Sequence, residues 1–491
     1  LSLPTDASLA AGAVRAGPGV LSPERAARLI GLGAFVAGIA LLYVPTLGHD
    51  DHTDSLLYRV VVRHMLRDHT WTDLRYLGPP MEHYRDHLPF GFWPLAIVAR
   101  LFGEAALPFV GFAWSVGTLA LLWRCTAKLL GEASAAVAVI ILSTTDSFFF
   151  YGGRVLLDPP VVFWSCASAA LVLATRLSRW QWLLATGCAA IAVMVKGPYG
   201  GVLFAAAVLA RAWSDRSWMT LVVGVIAGVV AAVPALSFLL FDRWSGHQGW
   251  WHGYVEHQII ASALGERSDG TGSLLFPLLQ IAGRFWPGFP LLVVAVALTA
   301  VSSWRRGLLG EARERPFLLV MAFVFASVAI LTIPQRKVWN HLLVGFPGLS
   351  MAAGAVGGPL LKRLLRAELP RRATAWIAGS VALLLAAFSA SGGLTRAMVG
   401  SGCVFSRTLR PAVEPHRGER LLLVSSPTNW RALAELAAEF DLDGVVSADQ
   451  PAGKEIPREI RLAVVDEHTP SGLPAAWKEV ARAEGWIVLA R

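Results

Sequence analysis

Long apolar runs joined by short charged connections dominate the chain between residues 29 and 390. They predict membrane-spanning helices at about Leu29–Leu47, Leu107–Trp123, Ala135–Phe150, Pro159–Thr175, Trp180–Val195, Tyr199–Ala210, Thr220–Leu240, Phe285–Val301, Phe317–Ile333, His341–Leu361 and Ala373–Ala390, about eleven crossings. Tyr199–Ala210 falls short of the roughly twenty residues that a crossing needs. Pro89–Phe102 is apolar but short and carries Arg100, which predicts a helix lying at the interface. Asp51–Trp93 breaks the pattern, crowding carboxylates, histidines, arginines and aromatics into one outer loop. Ordering such a loop costs entropy, so it is expected to be folded for use.

The tail changes period. RLLLVSS, GVVSA, IRLAVVDE and WIVLAR are short β-branched runs, whereas NWRALAELAAEF and AAWKEVARAE have helical spacing. A small α/β domain is expected over about 419–491, within a C-terminal region 393–491 that follows the membrane domain 29–392 (first outer loop 48–106). The fold class is thus a polytopic α-helical membrane protein with interfacial helices in its first outer loop and a small C-terminal α/β domain.

Composition agrees with the pattern. The 491 residues are 55% apolar and 16% charged, against about a quarter charged in soluble proteins; mean hydropathy is +0.54. The net charge of +9 raises the question of nucleic acid, but the cations fall in clusters between apolar runs and form no basic face. Arg124 with Lys128, Arg176 with Arg179, Arg211 with Arg216, Arg305 with Arg306, and Lys362 to Arg372 all follow even-numbered spans. The positive-inside bias then puts residues 1–28 in the cytoplasm as a tail without a signal core, and the C-terminal domain outside. Cys125, Cys166, Cys188 and Cys403 give no disulfide framework.

The expected outer ends of the spans share their chemistry. LLDPP carries Asp158 close behind Arg154; KGP carries Lys196; Lys337 and Asn340 precede the tenth span; WWHGYVEH carries Glu256 and His257. These motifs, in their order along the chain and over about Arg28–Gly357, resemble the lipid-sugar-dependent glycosyltransferases of the GT-C superfamily, the aminoarabinose (lipid A) transferase and protein O-mannosyltransferase group most of all. On that resemblance Asp54 takes the position of the family's first aspartate, Ser55 replaces its glutamate, and Tyr58 matches its tyrosine. Asp86 and His87 take the acidic and basic positions of the family's Glu-Lys-Pro-Pro, with Pro89 and Trp93 retained. Asp158, the Lys196–Gly197–Pro198 turn, the Glu256–His257 pair and Lys337 match the remaining motifs. Three family cations are softened or lost: Leu57, His87 and Ile260 stand in their places, leaving Arg85, Lys196, Arg267, Arg284 and Lys337 as candidate substitutes at the phosphate.

The resemblance implies an inverting displacement at the anomeric carbon of a polyprenyl-phosphate sugar. Asp54 would serve as base or acceptor-orienting group, and cations would face the leaving phosphate. Asp158 would be either a second acceptor-binding carboxylate or the partner that fixes Arg154. The expected site is therefore Asp54 and Asp158 for catalysis; Lys196, Lys337, Arg85, His87 and Arg267 for the donor phosphate; and Tyr58, Asp86, Arg154, Glu256 and His257 for substrate. The acceptor is lipid A, protein or glycan, membrane lipid surrounds the protein, and no nucleic acid is expected. No cofactor is expected; the histidines lack zinc spacing, which leaves a divalent metal open and indicates none. A transporter would put charges at mid-span and show repeated halves, neither of which is visible. A ligand-binding protein that kept the family fold is the other alternative. Convergence of Asp54, Asp158 and a cation on one cavity discriminates.

Overall fold

The computed structural model describes residues 22–47, 52–76, 83–174, 177–246, 249–266, 271–286, 288–365, 379, 409–424, 444–448, 460–467, 473, 476–483 and 485–491. Helices stand over each of the ten predicted spans within those residues; the eleventh, Ala373–Ala390, lies outside them, as do Arg267 and Cys403.

The helices in chain order are α1 (Pro23–Leu47), α2 (Thr53–Arg67), α3 (Trp93–Phe102), α4 (Pro108–Leu130), α5 (Glu132–Thr144), α6 (Asp146–Gly152), α7 (Asp158–Val172), α8 (Arg179–Lys196), α9 (Val202–Asp215) and α10 (Trp218–Trp244). A π-helical segment, Trp251–Ile260, runs into α11 (Ala261–Leu264). Then come α12 (Phe276–Arg284), α13 (Phe289–Ala300), α14 (Ser302–Leu309), α15 (Glu311–Thr332) and α16 (Phe346–Leu365). Six helical stretches among the described residues are long and apolar enough to cross a membrane, or seven if α5 and α6, bent by 69°, are one span. One of the six is Arg179–Asp215, which a turn at Gly197 divides into α8 and α9. There Gly200 folds back against the backbone of Ala192. The 3-10 turn Pro89–Gly91 and α3 form a short apolar helix, well under the roughly 30 Å of a hydrocarbon core.

Two helices mark the inside and outside of the bundle. α16 is buried from Phe346 to Pro359, and its Gly354 and Gly358, one turn apart, sit against Ser134 of α5. A Cβ at Gly354 would lie 2.5 Å from the Ser134 carbonyl oxygen, so glycine is what lets the two backbones approach. α10 instead exposes Val222, Val225, Ile226, Val229, Val230 and Val233. In water such a wall would be a large unsheltered patch; in a bilayer it faces lipid. The protein is an integral membrane protein.

Near the C-terminus, five strands form one sheet in the order β2 (Gly444–Ala448), β1 (Arg420–Val424), β3 (Leu462–Asp466), β5 (Trp486–Ala490), β4 (Lys478–Ala483), once each range is assigned in chain order. β1 pairs in parallel with β2 and β3; β3–β5 and β4–β5 are antiparallel. Alternate residues divide the faces: Leu421, Leu423, Leu462 and Val464 join the main apolar core, while Leu422, Val424, Ala463 and Val465 pack with Trp477. The four β-branched runs are strands as expected. AAWKEVARAE is not the expected helix: it holds the edge strand β4, hairpinned onto β5 through Gly485 (φ +83°). Its alternating charges serve an exposed edge, where Arg482 spans Glu479 and Glu467. NWRALAELAAEF lies outside the described residues.

Candidate active site

The loop that follows α1 folds onto the start of α7. α2 buries Leu56, Leu57, Tyr58, Val60, Val61 and Met65, so it is a packed helix and no tether. Leu57 is where the family places an arginine; at 8% exposure it fills an apolar position that a charge would have to be desolvated to occupy. Tyr58 is buried in an aromatic cluster, with ring centroids 5.2 Å from Phe92, 5.9 Å from His87 and 6.2 Å from Tyr84. Next to Asp54, the buried Ser55 hydroxyl accepts a hydrogen bond from the Val155 backbone N–H (3.1 Å). That bond ties the first turn of α2 to the segment leading into Asp158.

Asp158 and Lys196 form a buried ion pair, Oδ1 to Nζ 2.8 Å, with side chains 3% and 8% exposed. Each sits where its helix favours it: Asp158 in the first turn of α7, Lys196 in the last turn of α8. The sequence did not point to Lys196 as a partner of Asp158; the nearby Arg154 guanidinium lies 3.9 Å over the Phe150 ring. Gly197 turns the chain after Lys196 with φ +63°, a conformation that favours glycine, and the Tyr254 hydroxyl of the π-helical segment presses on it. Burial pushes the Asp54 carboxyl above the ordinary 3.8; the charges of His52 and Lys196 pull it down, and those of Asp158 and Asp86 push it up. Asp54, Asp86, Asp158, His52 and Lys196 thus lie within electrostatic reach of one another.

Aromatic groups close the remaining sides. His52 packs on Tyr151 (5.5 Å), Tyr151 on Trp339 (5.1 Å), and the Arg284 guanidinium lies 4.0 Å over Trp339. The Tyr199 ring sits 5.6 Å from Lys196 Nζ and 5.1 Å from the His341 ring; its hydroxyl donates to the Asn340 carbonyl (3.3 Å). Beside the ion pair, an apolar cavity of about 300 Å³ opens between α3, α4, α7 and α8, lined by Trp93, Trp114, Leu156, Pro160, Trp164 and Val195 among others.

Other expected site residues are engaged elsewhere. Arg85 donates to Asp73 (2.7 Å) and lies 4.5 Å over Trp250, whose indole donates to the Thr72 carbonyl; it latches the loop after α1 to the segment before the π-helical turn. The Lys337 ammonium donates to the carbonyls of Pro334 (2.7 Å) and Gly272 (3.3 Å). Glu256 pairs with His252 (2.7 Å) on an exposed face, with His257 5.8 Å from His252. Tyr84, Tyr151 and Tyr199 were not singled out from the sequence, because a lone tyrosine carries no spacing signal. Among the described residues no three His, Cys, Asp or Glu side chains are placed to hold a metal together.

The architecture is shared with solved proteins. ArnT from Cupriavidus metallidurans bound to undecaprenyl phosphate superposes with a TM-score of 0.66 at 17% identity, over 94% of this chain and 97% of that one. Its apo state gives 0.63 at 18% identity, over 93% and 97%. The chain shares the fold of these ArnT structures, the GT-C fold. An Archaeoglobus fulgidus oligosaccharyltransferase, tethered with an acceptor peptide containing the NVT sequon, matches this GT-C fold with a TM-score of 0.51 at 13% identity, over 89% of this chain and 69% of that one. The family model described as dolichyl-phosphate-mannose-protein mannosyltransferase matches residues 86–241, which include the Asp158–Lys196 pair. No curated protein matches the sequence.

Proposed function

We propose that the protein is a membrane glycosyltransferase that moves a sugar from a polyprenyl-phosphate donor to an acceptor by inverting displacement. The observation that carries this reading is proximity: Asp54 lies within electrostatic reach of the Asp158–Lys196 pair, and chain neighbours of that pair line an apolar cavity. Leu156 and Pro160 flank Asp158, and Val195 precedes Lys196, so a lipid tail in the cavity would bring its phosphate to a cation. As the phosphate leaves it gains charge, which Lys196 opposes at close range and Arg284 from the aromatic wall. Asp54 takes the acceptor's proton, and the tyrosines present apolar faces and hydroxyls to sugar. The donor class is supported by the ArnT complex, the acceptor being lipid A, protein or glycan. Incubating the purified protein with polyprenyl-phosphate sugars and a panel of these acceptors should yield sugar transfer with inversion and release of polyprenyl phosphate. If no donor is bound or turned over, the fold serves something else.

The basic connections after the even-numbered spans support a site on the outer face, with the N-terminus in the cytoplasm and the C-terminal sheet outside. A reporter that fluoresces only in the cytoplasm should be bright on the N-terminus and dark on the C-terminus. A bright C-terminal fusion would add or remove one crossing.

A further inference from the structure

About one length of α7 away from Asp158, roughly 20 Å at 1.5 Å per residue, lies a second cavity with a different chemistry. It has a volume of about 440 Å³ and is bounded by the last turns of α4, the end of α7 and the first turn of α8. Ala167, Ala170 and Ala174 keep its floor low, and Leu121, Leu129 and Leu171 make its walls apolar. Its rim is cationic: Arg124 and Lys128, one turn apart on α4, are both exposed, with Gln181 opposite them on α8. Like charges at this spacing repel, and among the described residues neither has a carboxylate partner. Exposed Trp180, beside Gln181, marks the level of a membrane interface. An apolar trough, a cationic lip and an interfacial tryptophan fit a molecule with hydrocarbon on one end and a negative headgroup on the other. The volume falls in the usual range for ligand pockets of about 300–1,000 Å³, enough for a headgroup and the start of its chains while the tails stay in the bilayer.

We infer that this cavity is a binding site for an anionic glycerophospholipid of the leaflet opposite the reaction site. Arg124 and Lys128 hold the phosphate, Gln181 reaches the polar headgroup, and the Ala167–Ala170–Ala174 floor receives the glycerol and first methylenes. Seating the lipid relieves the repulsion between the two cations and fixes α4, α7 and α8 relative to one another. Since α7 and α8 carry Asp158 and Lys196 at their far ends, occupancy would stiffen the frame of the ion pair.

The test uses the purified, delipidated full-length chain, titrated with phosphatidylglycerol or phosphatidylcholine and read as retained lipid by native mass spectrometry. Phosphatidylglycerol should be retained in preference to phosphatidylcholine. Arg124→Gln with Lys128→Gln should weaken its retention by about 30-fold, roughly fivefold per charge, while the charge-keeping Arg124→Lys with Lys128→Arg should retain it. Ala170→Leu, with folding checked by thermal melting, should lower retention without changing any charge, which separates the trough from general surface attraction. Equal retention of phosphatidylcholine would overturn the inference, as would indifference to either variant. Displacement by inorganic phosphate alone would make the ligand a soluble anion, and displacement by undecaprenyl phosphate at equal concentration would make the site one for polyprenyl lipid; either result also overturns it.

Discussion

Asp54→Asn is expected to leave the protein folded and to slow sugar transfer by about a hundredfold to ten-thousandfold, the usual loss for a general base. The amide keeps the size and the position on α2 but cannot accept the acceptor's proton. Stability should not fall with it, and the sign follows from the direction of the Asp54 shift. Burial raises the carboxyl pKa in the folded protein above 3.8, so the ionised form is the one that folding disfavours. That penalty is absent below the unfolded value and fully present once the pH exceeds the raised folded value. At neutral pH a neutral amide removes it. The same shift governs the wild-type rate: the base works only when ionised, so the acid limb of the pH–rate profile should lie above 3.8. Asp68→Asn, at the C-terminal cap of the same helix, is the control, since Asp68 is an exposed carboxylate held low by Arg67 and His64. Transfer assays across pH on both variants, with monodispersity in detergent as the folding check, decide the matter. Near wild-type turnover by a folded Asp54→Asn protein would move the base to Asp86 or Asp158.

The membrane bundle was legible because hydrocarbon imposes an apolar run of fixed length on every span, and ten such runs carry helices here. Asp54 with Tyr58, and Asp158 with Lys196, were legible as positions at span ends. Their contacts were not. The pairing of Asp158 with Lys196 depends on where α7 and α8 end relative to each other in space, which no spacing encodes. Arg85 and Lys337 show the converse difficulty: each is a free cation in the sequence, but a neighbouring carboxylate and ring capture one, and backbone carbonyls capture the other. Glu256 and His257 fall in a π-helical segment, where bonds run to the fifth residue and a 3.6-residue spacing no longer says which face a side chain takes. In the tail, AAWKEVARAE was ambiguous because its charges alternate along a strand edge as readily as they space out along a helix.

Lys196→Met is expected to damage the protein twice, and the two losses can be separated. Removing the ammonium leaves the Asp158 carboxylate, 3% exposed, without its partner; breaking a buried pair from one side typically costs about 3–5 kcal/mol. The single variant should therefore melt at lower temperature in detergent. Asp158→Asn made together with Lys196→Met removes the stranded charge as well, and replacing both halves of a buried pair is often neutral. The double variant should recover most of the stability. Donor binding should not recover, because a lipid phosphate in the cavity beside Leu156 and Val195 would still lack its nearest cation. Titration with a polyprenyl-phosphate sugar should show weak binding in both variants, while thermal melting distinguishes them. A purely structural ion pair predicts the opposite, with affinity returning as stability returns. Wild-type donor affinity in the stably folded double variant would therefore remove Lys196 from the phosphate site and leave Arg284, stacked on Trp339, as the cation to test next.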